Sequence, residues 1–385
     1  MSWLPYARHQ IDAADHAAMT AALEAPHLTQ GPTIDRFEAA LAEYVGARYA
    51  VAFNSGTAAL HAAYATAGVG PGSSVLTSPI TFVATANASL YLGGWVAFAD
   101  VDPDSALIDP EVVDQCQDRN VRVVAPVHFG GEVADLECLA AIAEARGWVV
   151  IEDAAHALGA RYHTSRGGEH RVGGCDHSLM CCFSFHPAKQ ITTGEGGAVT
   201  TNDPESYRRL RRFRSHGITR DLVELEGDDG PWYYEQHELG FNYRLTDLQA
   251  ALGISQLARL PQWLSARRRV AGWYQARLAD HPIVRPLVRP PGSVGAHHLF
   301  VVRVPEGLRR RCYDELVRQR IGANVHYIPV YRQPFYQRAG FEGAKRVGAE
   351  TYYRSALTLP LFPAMTESDV ARVVGALDAA VMEQV

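Results

Sequence analysis

Lysine is nearly absent from this chain. Of the 36 basic residues, 34 are arginine, and the two lysines are Lys189 and Lys345. Arginine stays protonated, whereas a lysine amine can lose its proton and attack. A sequence that writes arginine almost everywhere keeps lysine where arginine cannot serve. Lys345 lies in the polar stretch Glu342-Gly-Ala-Lys-Arg346 and reads as a surface residue. Lys189 is placed differently. The strand pattern Met180 to Phe185 runs through Ser184 into His186-Pro187-Ala188-Lys189, and the loop Gln190 to Gly197 carries three glycines. Those glycines let the backbone approach a ligand closely. A lysine in a partly dry pocket has a lowered pKa, which suits imine formation with an aldehyde.

Two other segments carry chemistry. Val149-Val150-Ile151-Glu152-Asp153-Ala154-Ala155-His156 is an apolar strand ending in two acids, with a histidine three residues on. Open α/β sheets place ligands at such strand ends, and an acid held there pairs with a cationic ring nitrogen. Asn54-Ser55-Gly56-Thr57 joins a strand to an Ala-rich helix. Ser55 caps that helix, and the N–H groups of Gly56 and Thr57 then face outward as a phosphate cradle. A phosphate cradle, a carboxylate for a pyridinium nitrogen and a Schiff-base lysine are together the needs of pyridoxal phosphate.

The elements that position these segments follow from periodicity. Helical patterns span Ile11 to Glu24, Ile34 to Val45, Thr57 to Ala67, Phe82 to Leu92, Glu111 to Gln117 and Leu136 to Arg146. Strand patterns span Arg48 to Phe53, Ser74 to Thr77, Trp95 to Val101, Val121 to His128, Trp148 to Glu152, Met180 to Phe185 and Ala198 to Thr201. This alternation predicts a mainly parallel sheet covered by helices. A basic helix follows over Glu205 to His216, then a polar loop from Gly217 to Gly240. Helical patterns over Leu245 to Leu260 and Trp263 to Ala279 are expected to be split by Pro261. Beyond them a smaller unit holds a strand His298 to Val304, a helix Leu308 to Gln319, an extended piece Ala323 to Val330 and a last helix Glu367 to Met382. The expected domains are 1–250 and 251–385, with the junction somewhere between 245 and 280.

Composition narrows the partners. The 385 residues are 47% hydrophobic and 20% charged, with net charge −6. That suits a globular protein of about two or three domains, and offers no basic surplus for a nucleic-acid backbone. No apolar run approaches the roughly 18 residues that span a bilayer, and no signal peptide is visible at Met1-Ser2-Trp3-Leu4-Pro5. Six cysteines without a Cys-x-x-Cys pair argue against a zinc site and for a reducing, cytoplasmic setting. No metal is expected.

Further stretches carry a resemblance: Leu28-Thr-Gln-Gly-Pro32, Ser78-Pro-Ile-Thr-Phe-Val-Ala-Thr-Ala-Asn87, Arg214-Ser-His-Gly-Ile-Thr-Arg220, Gly240-Phe-Asn-Tyr-Arg244 and Val325-His-Tyr-Ile-Pro329. With the segments above, they resemble the DegT/DnrJ/EryC1/StrS family of pyridoxal-phosphate sugar aminotransferases over nearly the full length. Within it the chain is most similar to the C4 aminotransferases of pseudaminic acid biosynthesis. The resemblance implies an α/β architecture of fold type I, a large domain with a mainly parallel sheet and a smaller C-terminal α/β domain. It makes Lys189 the Schiff-base lysine and pairs Asp153 with the pyridinium nitrogen. His156 takes the ring-oxygen side, Gly56, Thr57 and Ser184 the phosphate, and Phe82 the ring face. Asn242 reaches the phosphate of a partner subunit's cofactor, which implies a homodimer with shared sites. Tyr6, Thr29, His326 and Tyr327 face the nucleotide-sugar, and Arg244, beside Asn242, offers a fork suited to phosphate. The implied reaction moves an amino group from L-glutamate, released as 2-oxoglutarate, to UDP-2-acetamido-2,6-dideoxy-4-hexulose.

Other readings fare less well. Family dehydratases carry His where Lys189 stands. A non-catalytic binder has no use for the Asp153–Lys189 pair. A dinucleotide-dependent epimerase needs Gly-x-Gly-x-x-Gly after the first strand, where this chain has Asn54-Ser55-Gly56-Thr57. Amination at C3, or on another 4-keto sugar, stays open.

Overall fold

The alternating strands close into one seven-stranded sheet in a computed structural model that describes residues 2–341 and 344–382. Its strands are β1 (Tyr49–Phe53), β2 (Ser74–Thr77), β3 (Trp95–Phe98), β4 (Val121–Ala125), β5 (Val149–Asp153), β6 (Met180–Ser184) and β7 (Gly197–Thr201). Their spatial order is β1-β7-β6-β5-β4-β2-β3, and only β7 runs against the rest. The fourth strand stops at Ala125 rather than His128, because Pro126 has no N–H to continue the ladder.

Side chains alternate across the sheet. Ala50 and Ala52 of β1 join the cluster built on α2 (Pro32–Val45), with Phe37 and Leu41. Val51 and Phe53 join the opposite cluster, under α3 (Gly56–Thr66). Cys181 and Cys182 likewise fall in opposite clusters, so these neighbours bury their thiols on two different faces. The C-terminal ends of β1, β5 and β6 and the start of β7 share one edge of the sheet; Gly197 pairs with both Phe53 and Ser184 there. That edge is where Asn54–Thr57, Asp153 and Ser184 emerge.

One ion pair braces the edge from behind. Arg214 bonds the buried Glu38 and the carbonyl of Ala52 (2.8 Å), while Glu38 accepts the Ala52 N–H at 2.7 Å. Removing either partner of a buried pair strands the other charge, at a cost of about 3–5 kcal/mol. The start of β1's exit toward the phosphate cradle is therefore firmly held.

Pro261 does not divide the chain. Asp247–Leu278 is one continuous helix of 32 residues, here α4, with Pro261 inside it. An interior proline costs about 3 kcal/mol. Leu257, Leu260 and Leu264 are buried on either side of it, each worth roughly 1.5–3 kcal/mol, so packing outweighs the lost backbone bond. Thr246 and Gln249 close a capping box at its start. Position 250 falls in the first turn of this helix. The cores change hands further along: Leu264 belongs with the large sheet, whereas Val270, Ala271, Tyr274 and Leu278 belong with the C-terminal cluster. That cluster also takes in Leu4 from the N-terminus, bridged to Ile321. Its three-stranded antiparallel sheet joins Phe300–Arg303 to Arg285–Pro286 and Ala356–Leu359. The strand Ala356–Leu359, the helix Val347–Ser355 before it, and a hairpin pairing Arg161–His163 with Glu169–Arg171 lack a clear period in the sequence.

Lys345 is exposed, as read; Glu342 and Gly343 of the same stretch lie outside the described residues. No helix among the described residues is long and apolar enough to cross a membrane.

Candidate active site

Asp153 closes β5 and is 5% exposed. Its Oδ1 accepts the Ala155 N–H at 3.1 Å and its Oδ2 accepts the Thr85 hydroxyl at 2.6 Å. Lys189 sits in the turn after β6, its N–H bonded to the His186 carbonyl. It keeps partial exposure, yet the protein packed around it strips enough water to pull its amine down to about 8, against an opposing upward pull from the Asp153 charge. The two side chains are therefore close enough for the Asp153 charge to act on the Lys189 amine.

His156 is buried near Lys189, 4% exposed. Burial, and then the nearby Lys189 charge, holds its imidazole well below the ordinary range, so it is neutral. Gly130 donates its N–H to Nδ1 (3.3 Å), which leaves the proton on Nε2, directed at the Tyr327 hydroxyl 3.1 Å away. The rings of Phe82 and Tyr327 stand 6.3 Å apart, His326 and Tyr327 4.8 Å, and Tyr6 and His326 5.7 Å. Phe82 is 60% exposed, which leaves its face open. Tyr6, Phe82, Asp153, His156, Lys189, His326 and Tyr327 thus line one site, although residues 6 and 327 are far apart in sequence.

The phosphate corner adjoins it. Ser55 Oγ takes the Ala58 N–H (3.1 Å), and the first-turn N–H groups of Gly56 and Thr57 stay outside the helical ladder. A Cβ on Gly56 would stand 2.8 Å from Ser184 Cβ. Glycine is needed for the helix start to meet Ser184. Asn242 and Arg244 run beside the same corner: Arg244 bridges Phe53, and Asn54 donates to the carbonyls of Tyr243 (2.8 Å) and Asn242 (3.4 Å). Asn242 is exposed and outside the Lys189 cluster. Thr29 is also outside it. It pairs with Thr246 at the start of α4 and is exposed.

Three supports have no counterpart in the sequence reading. Thr85 holds Asp153, and Thr81 bonds Thr85 behind it; their four-residue spacing in Thr81-Phe82-Val83-Ala84-Thr85 was the available signal. Gly130 and Gly131 staple the β4 exit to residues 296–299 through three carbonyl bonds, and Gly131 (φ +96°) has no room for a Cβ, which would lie 2.9 Å from the His156 carbonyl. Arg267, buried and without a carboxylate partner among the described residues, donates to the carbonyls of Lys189 (3.4 Å), His297 (3.3 Å) and Leu361 (3.3 Å). It pins the lysine loop to the C-terminal unit.

A model of the DegT/DnrJ/EryC1/StrS aminotransferase family matches residues 9–378. The chain belongs to this family. It is 37% identical over 382 residues to the spore coat polysaccharide biosynthesis protein SpsC of Bacillus subtilis strain 168, covering 97% of this chain and 96% of that one. PseC of Helicobacter pylori, an aminotransferase involved in the biosynthesis of pseudoaminic acid, superposes with a TM-score of 0.91 at 30% identity, covering 99% and 100% of the two chains. The PLP form of the sugar aminotransferase Spr1654 from Streptococcus pneumoniae gives 0.90 at 25% identity, with both chains fully covered. The protein is accordingly a pyridoxal-phosphate-dependent nucleotide-sugar aminotransferase with the α/β fold of that group.

The residues present fit the cofactor. The cradle at Gly56, Thr57 and Ser184 suits its phosphate, the buried Asp153 its ring nitrogen, Phe82 its ring face and Lys189 its aldehyde. Among the described residues no group of three or more His, Cys, Asp or Glu side chains is placed to hold a metal ion. Because only the neutral amine attacks an aldehyde, capture of pyridoxal phosphate by the cofactor-free protein is expected to accelerate with pH and reach half its maximum near 8. Stopped-flow absorbance from pH 6 to 10 measures this; a midpoint near that of free lysine, about 10.4, would mean the amine is not desolvated.

Proposed function

We propose that the enzyme transfers an amino group from L-glutamate to the 4-keto carbon of UDP-2-acetamido-2,6-dideoxy-4-hexulose. The products would be 2-oxoglutarate and UDP-4-amino-4,6-dideoxy-N-acetyl-altrosamine, an intermediate toward pseudaminic acid. The observation that carries transamination is a desolvated Lys189 whose amine feels the charge of the buried Asp153 carboxylate. Likeness to PseC along the whole chain supports the choice of sugar.

Pyridoxal phosphate supplies the electron sink for the donor's α-carbon. Lys189 Nζ holds the cofactor at rest and, when displaced, is the base that takes the α-proton and returns it; an amine pulled to about 8 is matched to that work. Asp153, bonded by two donors to two different oxygens, presents a fixed carboxylate to the ring nitrogen. His156 directs its Nε2 proton to Tyr327, so the Tyr327 hydroxyl proton is left to bind an oxygen within the site. Burial and the Asp153 charge raise that phenol's pKa and keep it protonated. Tyr6, Thr29, Arg244 and His326 are the proposed nucleotide-sugar contacts. Gly56, Thr57 and Ser184 take the cofactor phosphate in this reading.

A homodimer completes the site, with Asn242 reaching the partner's cofactor phosphate. Asn242 is exposed, and the neighbouring 217–240 excursion turns Leu222, Val223, Trp232 and Leu239 to solvent, as an unpaired subunit face would. The proposed setting is cytoplasmic, in keeping with six free thiols.

A second reading is amination of another keto sugar, at C3 or with other C4 stereochemistry; the higher identity to SpsC, named for spore coat polysaccharide, favours a sugar product other than that of PseC. A panel of UDP-linked keto sugars with L-glutamate, analysed by NMR of the amino-sugar products, separates the two. Axial or equatorial C4 amination of the 6-deoxy-N-acetyl substrate is read directly from ring proton couplings. Turnover confined to another keto sugar would overturn the first reading.

A further inference from the structure

The segment Ser78 to Asn87 has one assigned function, the Phe82 ring face, yet both threonines beside Phe82 turn toward the carboxylate. Thr85 Oγ1 is 2.6 Å from Asp153 Oδ2 and 2.7 Å from Thr81 Oγ1, with the Phe82 carbonyl further off at 3.3 Å. A threonine hydroxyl has one proton to give. The carboxylate is the nearest and the only charged acceptor, so the Thr85 proton goes to Asp153. The Thr81 hydroxyl must then donate to Thr85. The result is a directed chain, Thr81 to Thr85 to Asp153. All three residues are 5% exposed or less.

We infer that Thr85, with Thr81 behind it, is a positioning residue that holds Asp153 as a fixed anion for the cofactor's ring nitrogen. Donors on both oxygens fix where the carboxylate points, and hydroxyls in series polarise one another. The need for such donors is specific to this site. The cationic neighbour of Asp153 is Lys189, whose amine is the group occupied by the cofactor and by proton transfer. Neutral donors at Thr85 and Ala155 keep supporting the anion whatever state that amine is in. The same short segment also carries Phe82, so one stretch sets both the ring face and the ring-nitrogen partner.

The inference rests on the reading of Asp153 given above, and its test separates the two. Apoenzyme is titrated with pyridoxal phosphate by tryptophan fluorescence, and the visible band of the bound cofactor is followed against pH. Thr85→Val removes the donor at constant shape. Its dissociation constant is expected to rise roughly tenfold or more, since bonds to charged groups are the stronger ones, and its spectral pH midpoint to shift. Thr85→Ser should restore both within about twofold. Thr81→Val leaves the contact to Asp153 in place and should give a smaller change in the same direction. Asp153→Asn is the reference. If it weakens and shifts the cofactor while Thr85→Val and Thr81→Val do neither, the role of the threonines is overturned and that of Asp153 stands. If Asp153→Asn itself changes neither, the underlying reading falls. Should Thr85→Val fail to fold, Thr81→Val and Thr85→Ser decide the matter: a Thr81→Val protein indistinguishable from the parent in both readouts overturns the inference.

Discussion

Lys189→Ala is expected to lower kcat at least about ten-thousandfold and to leave nothing for borohydride to trap. General acid–base transfer alone contributes about 10²–10⁴, and Lys189 supplies both that transfer and the covalent hold on the cofactor. No neighbour can take over. His156 and His326 are neutral, with burial as the first cause in each, but their imidazoles cannot restore the covalent link to an aldehyde. The near-absence of lysine sharpens the experiment. After reduction of the native holoenzyme, a phosphopyridoxyl label can rest on only two side-chain amines, and Lys345 is exposed on the surface. Peptide mass mapping should place the label at position 189. Lys345→Ala should keep both label and activity. A Lys189→Ala protein that still carries label after reduction would dismiss this residue from the chemistry.

The parts of the site that were readable are those where residue type and local pattern coincide. The strand ending at Asp153, the helix capped by Ser55 and the glycine loop after Lys189 each announce themselves within ten residues, because strand periodicity and helix capping are local. Lysine scarcity narrows the choice to two positions, and the strand and glycine loop around Lys189 decide between them. The unread parts are set by contacts between distant segments. His156 meets Tyr327 across 171 positions, and nothing near either residue encodes that bond. Gly130 and Gly131 look like any loop glycines until residues 296–299 are laid against them. Pro261 misleads for the same reason: local propensity argues for a break, and the burial of Leu257, Leu260 and Leu264 overrides it. Thr85 was readable in principle, four residues from Thr81, but it sits on the helix Val83–Leu90 and its partner lies 68 residues away at the end of a strand.

Asp153→Asn is expected to move two measurements in opposite directions. The replacement keeps the size and the bond to the Ala155 N–H, and it removes the charge. Catalysis should fall by about a hundred- to a thousandfold in kcat, the usual scale for losing one fixed electrostatic partner in a closed site, with cofactor still bound but more weakly. Capture of the cofactor by the apoprotein should change the other way. The Asp153 anion favours the charged ammonium of Lys189, so it raises that amine's pKa against the larger lowering by burial. Deleting the anion removes the raising influence, and the midpoint of about 8 must drop. At pH 7 a larger share of Lys189 is then neutral, and the initial attack on the aldehyde speeds up even as turnover collapses. General damage to the fold would slow both steps together. A variant whose capture midpoint stays at 8 would show that the two side chains do not feel each other, and a variant with parental kcat would show that the ring nitrogen needs no anion here.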